Sequence, residues 1–154
     1  MMETKKSPAG AAGKDPFEQL LGYHIRRLSV LVMSDLSESL APHKLNPADA
    51  SILLTIGASP GVTQSEVGRA LGILRANMAP LVAALESRGL VERKPVDGRS
   101  QALTLTAAGQ TLARQIKTIT KTHEERLFGR LSAAERRSLV ALLKSLWQRT
   151  PSEE

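Results

Sequence analysis

Arg75 and Asn77 stand two positions apart at the start of a helical pattern, and Arg93, Lys94 and Arg99 follow across a short β-prone stretch. An arginine guanidinium can chelate the O6/N7 edge of guanine or a phosphate, and an asparagine amide can pair with the N6/N7 edge of adenine. Arg69, Arg93 and Lys94 carry charge suited to phosphate neighbours. Thr63, Gln64 and Ser65 head a helix whose first N–H groups suit the same anion. Asp97 lies two residues before Arg99 across Gly98, where it can orient the arginine by a short charged contact. An arginine held on such a tip can enter a narrow minor groove, where the potential is most negative.

Catalytic chemistry finds less support. The three histidines, His24, His43 and His123, are far apart and lack a metal-ligand spacing such as H-E-x-x-H. There is no Gly-rich phosphate loop and no nucleophile elbow. The absence of cysteine excludes disulfides, thiolate zinc sites and cysteine nucleophiles. The reading is therefore not an enzyme, with no cofactor and no metal.

The elements that must position these side chains follow from periodicity. Residues 1–15 mix Lys, Ser, Pro, Gly and Ala with little to bury and read as a disordered basic tail. Asp15-Pro16 reads as a helix cap, and Phe17, Leu20, Leu21, His24, Ile25, Leu28, Leu31, Val32, Leu36 and Leu40 recur at three- and four-residue steps. That amphipathic helix is longer than a compact monomer of this size needs, which implies that a second chain covers part of it. Asn46-Pro47 starts a shorter helix with Ala50, Leu53, Leu54 and Ile56. Thr63-x-x-Glu66 is a capping box, and Val67, Ala70 and Leu71 face inward before Gly72.

After a short turn, Met78, Leu81, Val82 and Leu85 mark one face of a helix over 75–88, stopped by Gly89 in a left-handed cap. Two strands are expected at 91–95 and 102–106, joined by the polar tip Asp97-Gly98-Arg99-Ser100. Thr106 caps a helix running toward Leu127, broken by Gly129. Ser132-x-x-Glu135 starts a last helix with Leu139, Leu142, Leu143 and Leu146, and residues 151–154 are a loose tail. The fold class is mainly α with a small β-hairpin: a winged helix-turn-helix over 46–106, flanked by dimerisation helices at 16–45 and 107–150 in one domain over 16–150.

Bulk properties agree. The 154 residues are 42% hydrophobic but only 3% aromatic, so the core must be aliphatic, and the net charge of +6 favours a polyanionic partner. No apolar run reaches the roughly 18 residues a membrane span needs. The expected location is cytoplasmic, with no membrane partner.

Three runs carry a resemblance: Leu85-Glu86-x-x-Gly89-Leu90-Val91-x-Arg93, then Asp97-x-Arg99, then Leu103-Thr104-Leu105-Thr106-x-x-Gly109. In this order and spacing the chain resembles the MarR family of bacterial transcription regulators, from about Phe17 to Trp147. The resemblance implies a homodimeric winged helix-turn-helix repressor or activator on a pseudo-palindromic double-stranded operator. It further implies a small effector that changes DNA affinity, drawn from aromatic carboxylates, phenols or their CoA thioesters and pointing to aromatic catabolism. The family's pocket lies near the first helix, the second and the start of the fifth. His24, Arg26 and Arg27 are polar residues of that first helix, and His43 sits in the loop after it; these four are the candidate effector contacts.

The chain departs from the family's pattern in its recognition helix. Leu74, Ala79 and Pro80 stand where serine, threonine and arginine are often found. Ala76, Ala79 and Pro80 can offer only apolar contact to thymine methyls, so the wing and DNA shape are expected to carry a larger share. Pro80 also removes one helical hydrogen bond. The competing reading is a winged-helix protein-interaction module without sequence-specific DNA binding. Neither the basic balance nor Asp97-x-Arg99 is required by it.

Overall fold

The structure is a computed structural model that describes residues 15–95 and 101–148. Among the described residues, six α-helices and three short strands run in the order α1 (Leu21–Leu40), α2 (Pro47–Ala58), β1 (Val62–Thr63), α3 (Gln64–Leu71), α4 (Arg75–Ser87), β2 (Val91–Pro95), β3 (Gln101–Leu105), α5 (Ala107–Phe128) and α6 (Ala133–Trp147). A 3-10 turn at Ala41–His43 follows α1. Among the described residues, no helix is long and apolar enough to cross a membrane.

The start of α1 differs from expectation. The Asp15 carboxylate accepts from the Phe17 N–H at 3.0 Å, and Phe17 O accepts from the Leu20 N–H at 2.9 Å. These bonds close a local turn, and extended Leu20 separates it from the helix, which begins at Leu21 with no side-chain cap. The aspartate caps its own turn rather than a helix, a competition open to Asp wherever it can reach the next N–H groups.

The other caps form as the sequence predicts. Asn46 with Asp49, Thr63 with Glu66 and Ser132 with Glu135 each make a reciprocal capping box. Gly89 follows α4 with φ +67°, the left-handed conformation that ends helices cleanly. In α3, Ala70 is exposed and Gly68 is the buried residue beside Val67. A Cβ at Gly68 would lie 2.9 Å from Met78 Cγ and 3.1 Å from the Ile73 carbonyl, so glycine lets α4 cross α3 closely.

The sheet has one strand more than the hairpin expected. Thr63-Val62 pairs antiparallel with β3, giving the order β1-β3-β2. Two residues beside a turn are too few to carry a strand periodicity. The hairpin itself is in register from Val91↔Leu105 to Pro95↔Gln101.

One aliphatic core joins these parts. It includes Leu40 from α1, Ile52, Leu53 and Ile56 from α2, Val67 from α3, Met78, Val82 and Leu85 from α4, Leu103 from β3 and Ile116 from α5. Helix α2 buries residues around most of its circumference because it is enclosed by α1, α3, α4 and α5. By contrast, α6 has no fully buried residue, and Leu142, Leu146 and Trp147 are open, as are Leu21, Val30 and Leu31 on α1.

Candidate nucleic-acid interface

Helices α3 and α4 meet along a groove of about 450 Å³ lined by Gln64, Ser65, Gly68, Arg69, Ile73, Leu74, Arg75 and Met78. The fold thereby brings Gln64, Ser65, Arg69 and Arg75 to one place. Two of the cations, Arg69 and Arg75, are exposed and form no ion pair with any described residue. Thr63 has a different position. Its hydroxyl donates to Glu66 Oε2 at 2.8 Å and accepts from the Glu66 N–H at 3.3 Å, while its own N–H donates to the same carboxylate at 2.7 Å. The Thr63 N–H holds the Glu66 carboxyl below the usual carboxylate range. Thr63 therefore shapes the helix start, while Arg69 and Arg75 stand exposed beside the first turn of α3.

Ala76, Asn77, Ala79 and Pro80 are all exposed on α4, opposite buried Met78, Val82 and Leu85. The surface offers one amide and one guanidinium, with small apolar groups between them.

The hairpin is braced onto α4. Arg93 Nε donates to Glu86 Oε2 at 2.8 Å, with both side chains less than a third exposed. Lys94 pairs with Glu92 at 3.1 Å but stays largely exposed. The Thr106 hydroxyl donates to the Gly89 carbonyl at 2.6 Å and accepts from the Gly109 N–H at 3.0 Å. A side chain at Gly109 would collide with the Leu90 carbonyl. Two of the sequence runs thus grip each other where α4, β2 and α5 meet. Asp97 and Arg99 lie outside the described residues.

Of the four candidate effector residues, three gather around Tyr23 and His43 stands apart. His24 Nε2 donates to the Glu18 carbonyl at 2.7 Å, Arg27 donates to the Tyr23 hydroxyl at 3.0 Å, and Arg26 lies 5.5 Å over the Tyr23 ring. All three are exposed near the N-terminus of α1. His43 is at the far end of that helix, roughly 30 Å away at 1.5 Å per residue. Its loop is tied to Arg88, which donates to the carbonyls of His43 and Lys44 at 3.2 and 2.9 Å.

The structure instead offers a cavity of about 550 Å³ between α2, the hairpin and the first half of α5. Leu54, Ile56, Leu105 and Ala113 give it an apolar floor, and Lys94, Arg114 and Lys117 bring cations to its edge. Sequence reading missed it because its walls come from three separated segments. The spacing of Arg114 and Lys117, one helical turn apart, was the only local signal.

A second missed cluster joins α1 to α5. His123, 2% exposed, donates from Nδ1 to Asp35 Oδ2 at 2.5 Å. Arg126 donates to both Asp35 oxygens at 2.9 and 2.6 Å and to the Ser39 hydroxyl at 2.8 Å. The Arg126 bonds, then that from His123, hold the Asp35 carboxyl down at about 2.

Residues 43–100 match the model of the MarR family. A transcriptional repressor, CouR, solved bound to a 23-mer DNA duplex, is 36% identical with a TM-score of 0.79, over 87% of this chain and 99% of that one. The chain belongs to the MarR family. Another structure of CouR, bound to p-coumaroyl-CoA, is 34% identical with a TM-score of 0.80, over 90% of this chain and 99% of that one. The HTH-type transcriptional repressor Rv2887 of Mycobacterium tuberculosis is 29% identical over 128 residues, which is 82% of this chain and 92% of the relative. As a MarR-family member the chain is a transcription regulator, and α3, α4 and the hairpin form its winged helix-turn-helix.

Proposed function

We infer that the chain is a homodimeric repressor released from its operator by an aromatic acyl-CoA thioester. The observation that carries the effector class is the cavity between α2, the hairpin and α5. Its apolar floor suits an aromatic acyl group, and Lys94, Arg114 and Lys117 suit the phosphates of a CoA tail. A free aromatic acid would use the floor but only one of the three cations. The CouR structures with a DNA duplex and with p-coumaroyl-CoA support the same pairing of partners.

Release follows from charge and position. Lys94 belongs both to the cavity edge and to strand β2 of the wing, and an anionic tail there opposes the phosphates that the wing must approach. Dimerisation through α1 and α6 accounts for the exposed apolar side chains of Leu21, Val30, Leu31, Leu142, Leu146 and Trp147, which a second copy would cover. His24, Arg26 and Arg27 then belong to the dimer surface rather than to the effector floor.

Thermal shift with p-coumaroyl-CoA, free CoA and p-coumarate tests the effector class, together with displacement of a fluorescent operator duplex. The thioester is expected to raise Tm most and to release the duplex. Equal responses to p-coumarate and the thioester, or no response to either, would overturn the assignment.

A further inference from the structure

Leu74 occupies the N-cap of α4 and is 73% exposed. Neither fact serves the fold. Serine, threonine, asparagine and aspartate are the residues that satisfy a helix's first N–H groups, and leucine has nothing to offer them. The Leu74 side chain makes no cap bond; only its carbonyl is used, accepting from the Asn77 and Met78 N–H groups. An apolar side chain is thus held open to solvent among Gln64, Ser65, Arg69 and Arg75, the polar and cationic groups of the α3–α4 groove.

The N-terminal residues of a recognition helix are those that meet base edges in the major groove. The apolar group displayed on those edges is the C5-methyl of thymine. Ala76, Ala79 and Pro80, all exposed, have no long side chain to hold the helix away from the groove. We propose that Leu74 is a specificity-determining residue that reads a thymine C5-methyl in each operator half-site. Arg75 and Asn77 beside it supply the hydrogen-bonding readout. The inference rests on the proposed function, since it requires that α4 enter DNA.

The test uses the full-length protein and a duplex selected by it from a random library. Each thymine of that duplex is replaced in turn by deoxyuridine, which removes the methyl and keeps every hydrogen-bonding group. For the unaltered protein, one position per half-site should lose about threefold to tenfold in affinity, the range expected for one or two apolar groups taken out of water. In Leu74→Ala and Leu74→Ser that position should become insensitive to deoxyuridine. Serine also supplies the missing cap, so helix content and Tm should hold in at least one variant. Deoxyuridine that is neutral at every position overturns the inference while DNA binding stands. Sensitivity that persists in both variants also overturns it. Failure to select any duplex overturns the proposed function, and the inference falls with it.

Discussion

Glu86 and Arg93, on either side of the Gly89 turn, pair at 2.8 Å with their side chains only 29% and 28% exposed. The pair fastens β2 to the end of α4. The pair engages Arg93 through Nε, a structural role independent of any phosphate. Arg93→Ala and Glu86→Ala should each lower stability, with a coupling of about 1 kcal/mol in a double-mutant cycle followed by urea denaturation. Neither should flatten the salt dependence of DNA binding as a lost phosphate contact would. A slope reduced by about one in Arg93→Ala, matching Arg69→Ala, would return Arg93 to the phosphate set.

The junction between Gly89 and Gly109 should be sensitive to small changes. Gly109→Ala places a methyl against the Leu90 carbonyl and should cost about 3 kcal/mol or more, as overpacking against backbone does. Thr106→Val loses both the α5 cap and the bond to Gly89, a loss of about 1–2 kcal/mol. Urea denaturation measures both, and a Gly109→Ala protein as stable as the parent would contradict the close packing.

Acid should loosen α1 from α5. The carboxyl of Asp35 is held near 2, below its ordinary value of 3.8, chiefly by Arg126 and then by His123. A depressed carboxylate contributes stability that is complete above its unfolded value and lost as pH falls toward its folded one. The Asp35 contribution should therefore fade between about pH 4 and pH 2. Tm measured across that window should fall less steeply in Asp35→Asn, whose Tm should already be lower at neutral pH. Parallel curves for the two proteins would show that Asp35 does not carry this dependence.

The wing tip is tested by Arg99→Ala, which should weaken binding to specific and non-specific duplexes while the dimer persists in sedimentation. Asn77→Ala should instead relax preference at one or two base pairs. Operator affinity unchanged in Arg99→Ala would falsify the minor-groove role.

Much of the fold was legible because it is written in local chemistry. Thr63-x-x-Glu66, Ser132-x-x-Glu135 and Asn46-Pro47 each fix a helix start within four residues, and Gly89 fixes a helix end. The false start at Asp15 shows the limit, since an aspartate can cap a turn as readily as a helix. Relationships between distant residues were not legible. Asp35 and His123 are 88 positions apart, and no periodicity links them. The cavity edge of Lys94, Arg114 and Lys117 joins a strand to a helix. Of the candidate effector contacts His24, Arg26, Arg27 and His43, the first three stand near the start of α1 and His43 beyond its far end, a separation set by the length of the helix itself.

Whether the α3–α4 surface and the wing hold duplex DNA through its phosphates is read from operator affinity measured against salt. A linear fall of log K with log salt is expected, with a slope on the order of −4 or steeper for the two copies together. A flat dependence between about 50 and 200 mM salt would contradict it, because binding without counterion release is not binding through phosphates.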